Sequence, residues 1–365
     1  MSQTRLHQLY NEQGQSPWLD NLKRGWITSG ELERWVERGV RGITSNPSIF
    51  QKAIGDSDAY DPALRELVVG GASIEDSYWS LVTADITDAL AILRPVYDTS
   101  NGEDGFVSVE VAPELADETE GTMTAARELD NRIAQPNLYV KIPGTAAGVP
   151  AVRQMIAEGR SINVTLLFSV ERYADVIEAY LAGLEAAEGD LSTISSVASF
   201  FISRVDTEID RRLTEIGTPE ALAMKGKAAV ANGKLAYGLA AEKFSGPRWD
   251  ALAARGARVQ RPLWASTSTK DPSYPDTLYV DELIGPDSVN TLPDATLEAF
   301  IEHGAVTRTV DVDVDQARAV LDRIAELGVD LGEVSTKLEV EGVSAFSESF
   351  DGLLGTMAAR AAEFK

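Results

Sequence analysis

A (β/α)8 barrel, an α/β TIM-barrel fold with extra helices and a C-terminal extension, is predicted by three observations on the 365-residue chain. Short apolar runs rich in β-formers alternate with longer amphipathic stretches. Eight such runs occur, the number that closes a parallel barrel. No Pro/Gly/Ser-rich linker separates them, so a single domain is expected over 1–365. Its core spans about 18–312, and a helical extension over 313–365 packs on the barrel.

In chain order the strands are expected at Trp18 to Asn21, Gly42 to Asn46, Phe106 to Val111, Asn137 to Ile142, Ser161 to Phe168, Ser195 to Ile202, Arg261 to Ser268 and Ser288 to Leu292. Between them, 3.6-residue periodicity predicts helices at Ser29 to Arg38, Ile74 to Tyr97, Pro113 to Ile133, Gly148 to Glu158, Val170 to Ala187, Arg204 to Ile216 and Pro219 to Lys243. A barrel of this kind uses about 250 residues. The surplus falls in 47–103, which holds at least two helices, and in the tail. There Ala317 to Leu327 and Glu348 to Phe364 are expected to be helical, with 329–346 connecting them.

The fourth run, Asn137-Leu138-Tyr139-Val140-Lys141-Ile142-Pro143-Gly144, carries the sharpest chemical signal. Alternation puts Leu138, Val140 and Ile142 on one face and Tyr139 and Lys141 on the other. Inside a closed barrel that second face is dry. Desolvation lowers the pKa of an amine, ordinarily about 10.4, and exposes a lone pair that attacks ketones to form a Schiff base. On an open sheet edge the same lysine would be a solvated guard against aggregation.

Alternation applied to the other strands places Ser108 and Glu110 together, Thr44 with Asn46, Ser161 with Asn163 and Thr165, Ser199 with Phe201, and Ser266 with Ser268. In the fifth strand Ile162, Val164, Leu166 and Phe168 are expected to face the helices. Taken singly, each polar group could merely satisfy backbone or water. Together they ring Lys141 near the C-terminal strand ends, where barrel enzymes place their chemistry.

Composition narrows that chemistry. The chain has no cysteine, and its two histidines, His7 and His303, are far apart in sequence. A disulfide framework, a thiolate metal site and a cysteine nucleophile are excluded, leaving Lys, Asp, Glu and hydroxyl groups. A net charge of −24 argues against nucleic acid and against an anionic membrane, yet leaves open a small anionic substrate held by a few local cations. Neither a basic, apolar leader nor a spanning apolar run is present, so the cytoplasm is expected. Monomer and homodimer both remain open.

Gly42-Ile43-Thr44-Ser45-Asn46-Pro47-Ser48, the Lys141 strand, Asn163-Val164-Thr165-Leu166-Leu167-Phe168-Ser169, and Ser199 to Arg204 followed by Val205-Asp206 resemble the transaldolase family. The resemblance runs from about Trp18 to beyond Leu292 and implies a Schiff-base transferase of the pentose phosphate pathway, with sugar phosphates as substrates and neither metal nor organic cofactor. It implies that Lys141 attacks C2 of a ketose phosphate. Glu110 and Thr165 would hold a proton-moving water, and Asp20 would take the C4 hydroxyl proton as C3–C4 breaks. Asn46, Asn163 and Ser199, on the face shared by Thr44, would hold the dihydroxyacetone unit.

Each assignment has a plainer alternative. Asp20 could cap a helix or turn, Asn46 could start one, Ser199 could satisfy backbone, and Phe201 packs at the site wall. Phe201 and Glu110 together favour transfer, because related fructose 6-phosphate aldolases tend to carry tyrosine and glutamine there. Arg204 and Ser266 match family phosphate ligands. A second arginine expected shortly after that serine is missing, and Ser268 cannot supply its charge. Lys270 is expected to replace it, unless it is only an exposed loop lysine. A class I aldolase and a non-catalytic sugar-phosphate-binding barrel are the competing functions.

Overall fold

The structure, a computed structural model, describes residues 3–364. Seven parallel strands form one curled sheet: β1 (Gln15–Leu19), β2 (Val107–Glu110), β3 (Leu138–Pro143), β4 (Ile162–Leu167), β5 (Ser196–Phe201), β6 (Arg261–Ala265) and β7 (Ser288–Leu292), in the order β1-β7-β6-β5-β4-β3-β2. The strands are buried almost throughout, as expected of parallel strands sheathed by helices. Among the described residues, no helix is long and apolar enough to cross a membrane.

The expected second strand is reduced to one residue. Ile43 makes isolated parallel bridges to Leu19 and to Val107, the two edges of the sheet. Its N–H donates to Phe106 O at 2.9 Å, and Ser108 N–H donates to its carbonyl at 3.0 Å. Thr44 N–H still donates to Leu19 O at 2.9 Å and Asn46 is still extended, but there the chain enters a helix. Asn46 accepts from Ile49 N–H at 3.0 Å and caps the helix Pro47–Gly55, whose first residue is the helix-starting proline.

Strict alternation also fails in β4. The register pairs Val164 with Ala198 but Leu167 with Phe200, so two residues of β4 oppose Ser199 alone. Leu166 takes a left-handed φ of 61° at this bulge. Leu167 therefore takes the outward place expected of Leu166. The strand expected to reach Ser268 ends at Ala265, because Ser266 turns the chain with φ 56°. Ser266 and Ser268 are loop residues.

Helix boundaries shift where backbone chemistry demands it. Gly30, at φ 74°, divides Arg24–Ser29 from Glu31–Glu37. A 3₁₀ turn, Pro113–Leu115, precedes Thr119–Ile133, and Pro219–Leu222 is separate from Ala228–Lys243. The largest correction is in the tail. The connection expected over 329–346 lies almost wholly within one 33-residue helix, Leu331–Glu363, capped by Asp330. Glycine and small polar residues weaken its helical signal, while Val334, Leu338, Gly342, Phe346, Phe350, Leu353, Met357 and Ala361 form a buried stripe that tertiary packing supports.

The sheet interior is layered. Phe106 stacks on Tyr139 at 4.1 Å between centroids, and Trp18 lies 6.1 Å from the same ring. Below them, at the N-terminal strand ends, buried Asp104 accepts from Trp18 Nε1 at 3.2 Å and from the Ser16 hydroxyl. It also pairs with Arg41 at 2.8 Å and Arg261 at 3.1 Å. Above them stands Lys141, two residues on from Tyr139.

Candidate active site

Register builds the centre of the site. Glu110 pairs with Lys141 and Lys141 with Asn163 across β2, β3 and β4, at one level of the sheet. Lys141 is 4% exposed, and its Nζ lies 3.2 Å from Glu110 Oε2. The amine is dry but accompanied. It also donates to Ser45 O at 3.4 Å. Neither oxygen of Glu110 has an aligned hydrogen bond, and buried Thr165 Oγ1 also lacks a partner. Burial pushes the Glu110 carboxyl above the ordinary carboxylate range; Lys141 opposes this and Asp20 adds to it.

Asp20 stands at the end of β1 and faces the same cavity of about 130 Å³, which Lys141 also lines. It caps no helix: Lys23 holds that position for Arg24–Ser29. Its Oδ1 accepts from Thr44 Oγ1 at 2.7 Å, and Thr291 Oγ1 lies 2.6 Å from Thr44 Oγ1. Thr44 spends its single hydrogen on Asp20, so Thr291 donates to Thr44. Burial raises the Asp20 carboxyl, while the Thr44 bond and the charges of Lys141, Lys270 and Arg204 pull it down.

Ser199, Phe201 and Asn46 line this cavity, whereas Asn163 does not. Asn163 is fully buried and engaged at both ends: Ser199 Oγ donates to its Oδ1 at 2.7 Å and its Nδ2 donates to Ser108 Oγ at 3.0 Å. It orients Ser199, whose lone pairs remain for the cavity. Asn46 serves two ends, its Oδ1 capping a helix while its amide stays at the cavity wall. Phe201 packs on Phe168 at 5.2 Å.

A second cluster is cationic. Arg204, in the first turn of Ser203–Ile216, lies 5.3 Å over the Phe201 ring and has no ion-pair partner among the described residues. Burial lowers its guanidinium, with only the more distant Glu341 and Asp20 opposing. Lys270, beyond the end of β6, reaches the same cavity and donates to Ser268 Oγ at 2.7 Å. Burial lowers its ammonium, and the Arg204 charge lowers it further. Ser266 Oγ sits 2.8 Å from Ser203 Oγ beside them. Two uncompensated cations at one rim make a place where an anion is favoured.

Four wall residues, Ala265, Thr291, Pro293 and Phe346, are not among those the sequence singles out. Thr291 sits in β7, where alternation applied as for Ser199 would have found it. Phe346 comes from the C-terminal helix and had no local signal. A larger cleft, about 860 Å³, opens between the helices Val170–Ala186 and Leu331–Glu363. None of Lys141, Glu110 and Asp20 lines it, so the smaller cavity is the candidate active site.

The transaldolase/fructose-6-phosphate aldolase family model matches residues 17–357. The chain is 53% identical over 349 residues to a transaldolase of Parafrankia sp. (strain EAN1pec), covering 94% of this chain and 95% of that protein. It is 51% identical to a transaldolase of Thermobifida fusca (strain YX), covering 97% of each, and 50% identical to transaldolase 1 of Streptomyces avermitilis, covering 95% and 93%. The chain belongs to the transaldolase/fructose-6-phosphate aldolase family.

Proposed function

We propose that this chain is a transaldolase that carries a dihydroxyacetone unit on Lys141. The observation that supports it best is a dry amine 3.2 Å from the buried Glu110 carboxylate, at the wall of a cavity also lined by Asp20 and by Arg204, which has no ion-pair partner among the described residues. The Lys141 amine adds to C2 of a ketose phosphate, fructose 6-phosphate or sedoheptulose 7-phosphate. Glu110, with a water held against Thr165, takes the amine proton and returns it to the departing C2 hydroxyl, giving the imine. Asp20 then removes the C4 hydroxyl proton, C3–C4 breaks, and an aldose phosphate leaves. The remaining enamine adds through C3 to the acceptor aldehyde, glyceraldehyde 3-phosphate or erythrose 4-phosphate. Asp20 reprotonates the new hydroxyl and hydrolysis frees Lys141.

Arg204, Ser266 and Lys270 are read as the phosphate site, Lys270 supplying the second cation. Ser199 and Asn46 orient the three-carbon unit, with Asn163 behind Ser199. The reading also takes the Ile43 segment as the eighth strand, closing a (β/α)8 barrel and drying the interior face around Lys141. The reading carries with it a place in the pentose phosphate pathway and a cytoplasmic location. Borohydride reduction with fructose 6-phosphate, followed by peptide mass mapping, is expected to leave a three-carbon adduct on the peptide containing Lys141. An adduct elsewhere, or none, would refute the reading. Product analysis with and without acceptor separates transfer from simple aldol cleavage.

A further inference from the structure

One wall of the Lys141 cavity comes from outside the sheet. Phe346, on the helix Leu331–Glu363, is 4% exposed, lines the cavity, and has its ring centroid 5.8 Å from Lys141 Nζ. Helical spacing puts Gly342, Phe346 and Phe350 on one face. A Cβ at Gly342 would stand 2.9 Å from Leu166 Cδ2, so glycine lets the helix settle onto the bulged end of β4. One turn beyond Phe346, Phe350 meets Tyr78 edge-on at 5.1 Å, and neighbouring Ser349 Oγ lies 2.7 Å from Ser48 Oγ. The ring over Lys141 is thus held from both sides along its own helix.

We propose that Phe346 is a specificity-determining residue that commits the enzyme to transfer by keeping bulk water, beyond the one read as held by Glu110 and Thr165, from the enamine on Lys141. This rests on the Schiff-base reading above. The competing reaction needs only water: a proton from water forms a C–H bond at C3 of the enamine, water adds to C2 of the resulting iminium, and C–N breaks. Free dihydroxyacetone leaves and the Lys141 amine is restored. Phe346 offers no hydrogen bond to any intermediate. Its apolar ring acts by exclusion, so its loss changes the partition between release and transfer.

The test measures dihydroxyacetone released from fructose 6-phosphate without acceptor, sedoheptulose 7-phosphate formed with erythrose 4-phosphate, and the borohydride adduct on Lys141. Phe346→Ala is expected to raise the release-to-transfer ratio at least about tenfold. Phe346→Leu, which keeps an apolar cover, should bring it back to within about twofold of the parent. Val340→Ala, at a 63% exposed position of the same helix, should leave it unchanged. If the alanine variant folds poorly, Phe346→Gln retains side-chain length, admits water, and carries the same expectation. A parental ratio in the folded alanine or glutamine variant overturns the proposal, as does a leucine ratio as high as alanine's. A parent protein with no adduct overturns the Schiff-base reading itself, so the two failures are told apart.

Discussion

Arginines at the two ends of the sheet meet opposite fates. At the N-terminal end burial works against the Arg261 guanidinium, but Asp104, Tyr139 and Glu103 together outweigh it and hold that group above its ordinary range. Near the C-terminal end burial lowers Arg204 without a close carboxylate to offset it. The carboxylates differ in the same sense: Asp104 is bonded to two arginines, a tryptophan and a serine, while Glu110 has one ion pair and no aligned hydrogen bond. Between the ends lies the Phe106, Tyr139 and Trp18 layer. One end uses buried charge to close the structure; the other leaves charge uncompensated for a ligand to complete.

Substitution at each end separates these uses. Lys141→Met should abolish transfer, by at least about 10³-fold, and remove the borohydride adduct. Because Glu110, already pushed up by burial, can accept a proton once its Lys141 partner is gone, the melting temperature should hold or rise. Asp104→Asn should do the reverse, costing about 3–5 kcal/mol in denaturant unfolding as two arginines lose their carboxylate, while kcat of the folded enzyme stays within about threefold. A stable Asp104→Asn protein with impaired turnover would erase the contrast.

Smaller effects sharpen it at the active end. Lys270→Ala should raise KM for fructose 6-phosphate about five- to tenfold with kcat little altered, and Lys270→Arg should restore it. An unchanged KM would return Lys270 to the solvent-exposed loop. Thr44→Val is subtler. Burial holds the Asp20 carboxyl high and the Thr44 hydrogen bond lowers it, so losing the donor raises it further. Asp20 must be ionised to take the C4 hydroxyl proton, so the acid limb of the kcat profile should move to higher pH. Rates would drop at low pH and change little at high pH; a stationary limb would uncouple Thr44 from Asp20.

Alternation made Lys141, Glu110 and Ser199 legible because Cβ direction in a strand is a local property. It misplaced Leu166, since a bulge depends on the neighbouring strand, and missed Phe346, since its helix is sustained by a packed stripe more than by propensity. Asn163 shows a finer limit. Its place beside Lys141 was readable, but its commitment to Ser108 and Ser199 depends on where two other strands stand.

By itself the amino-acid order determined seven of the eight expected strands, the face on which the polar side chains of β2, β3 and β5 lie, and the absence of cysteine and paired-histidine chemistry. Only the tertiary structure decided that Glu110 stands against Lys141, that Arg204 and Lys270 share a rim, and that a ring from the far end of the chain covers the amine. Orientation about a strand is set by adjacent bonds. Dryness and charge pairing are set by groups that only sheet curvature and long-range packing bring together.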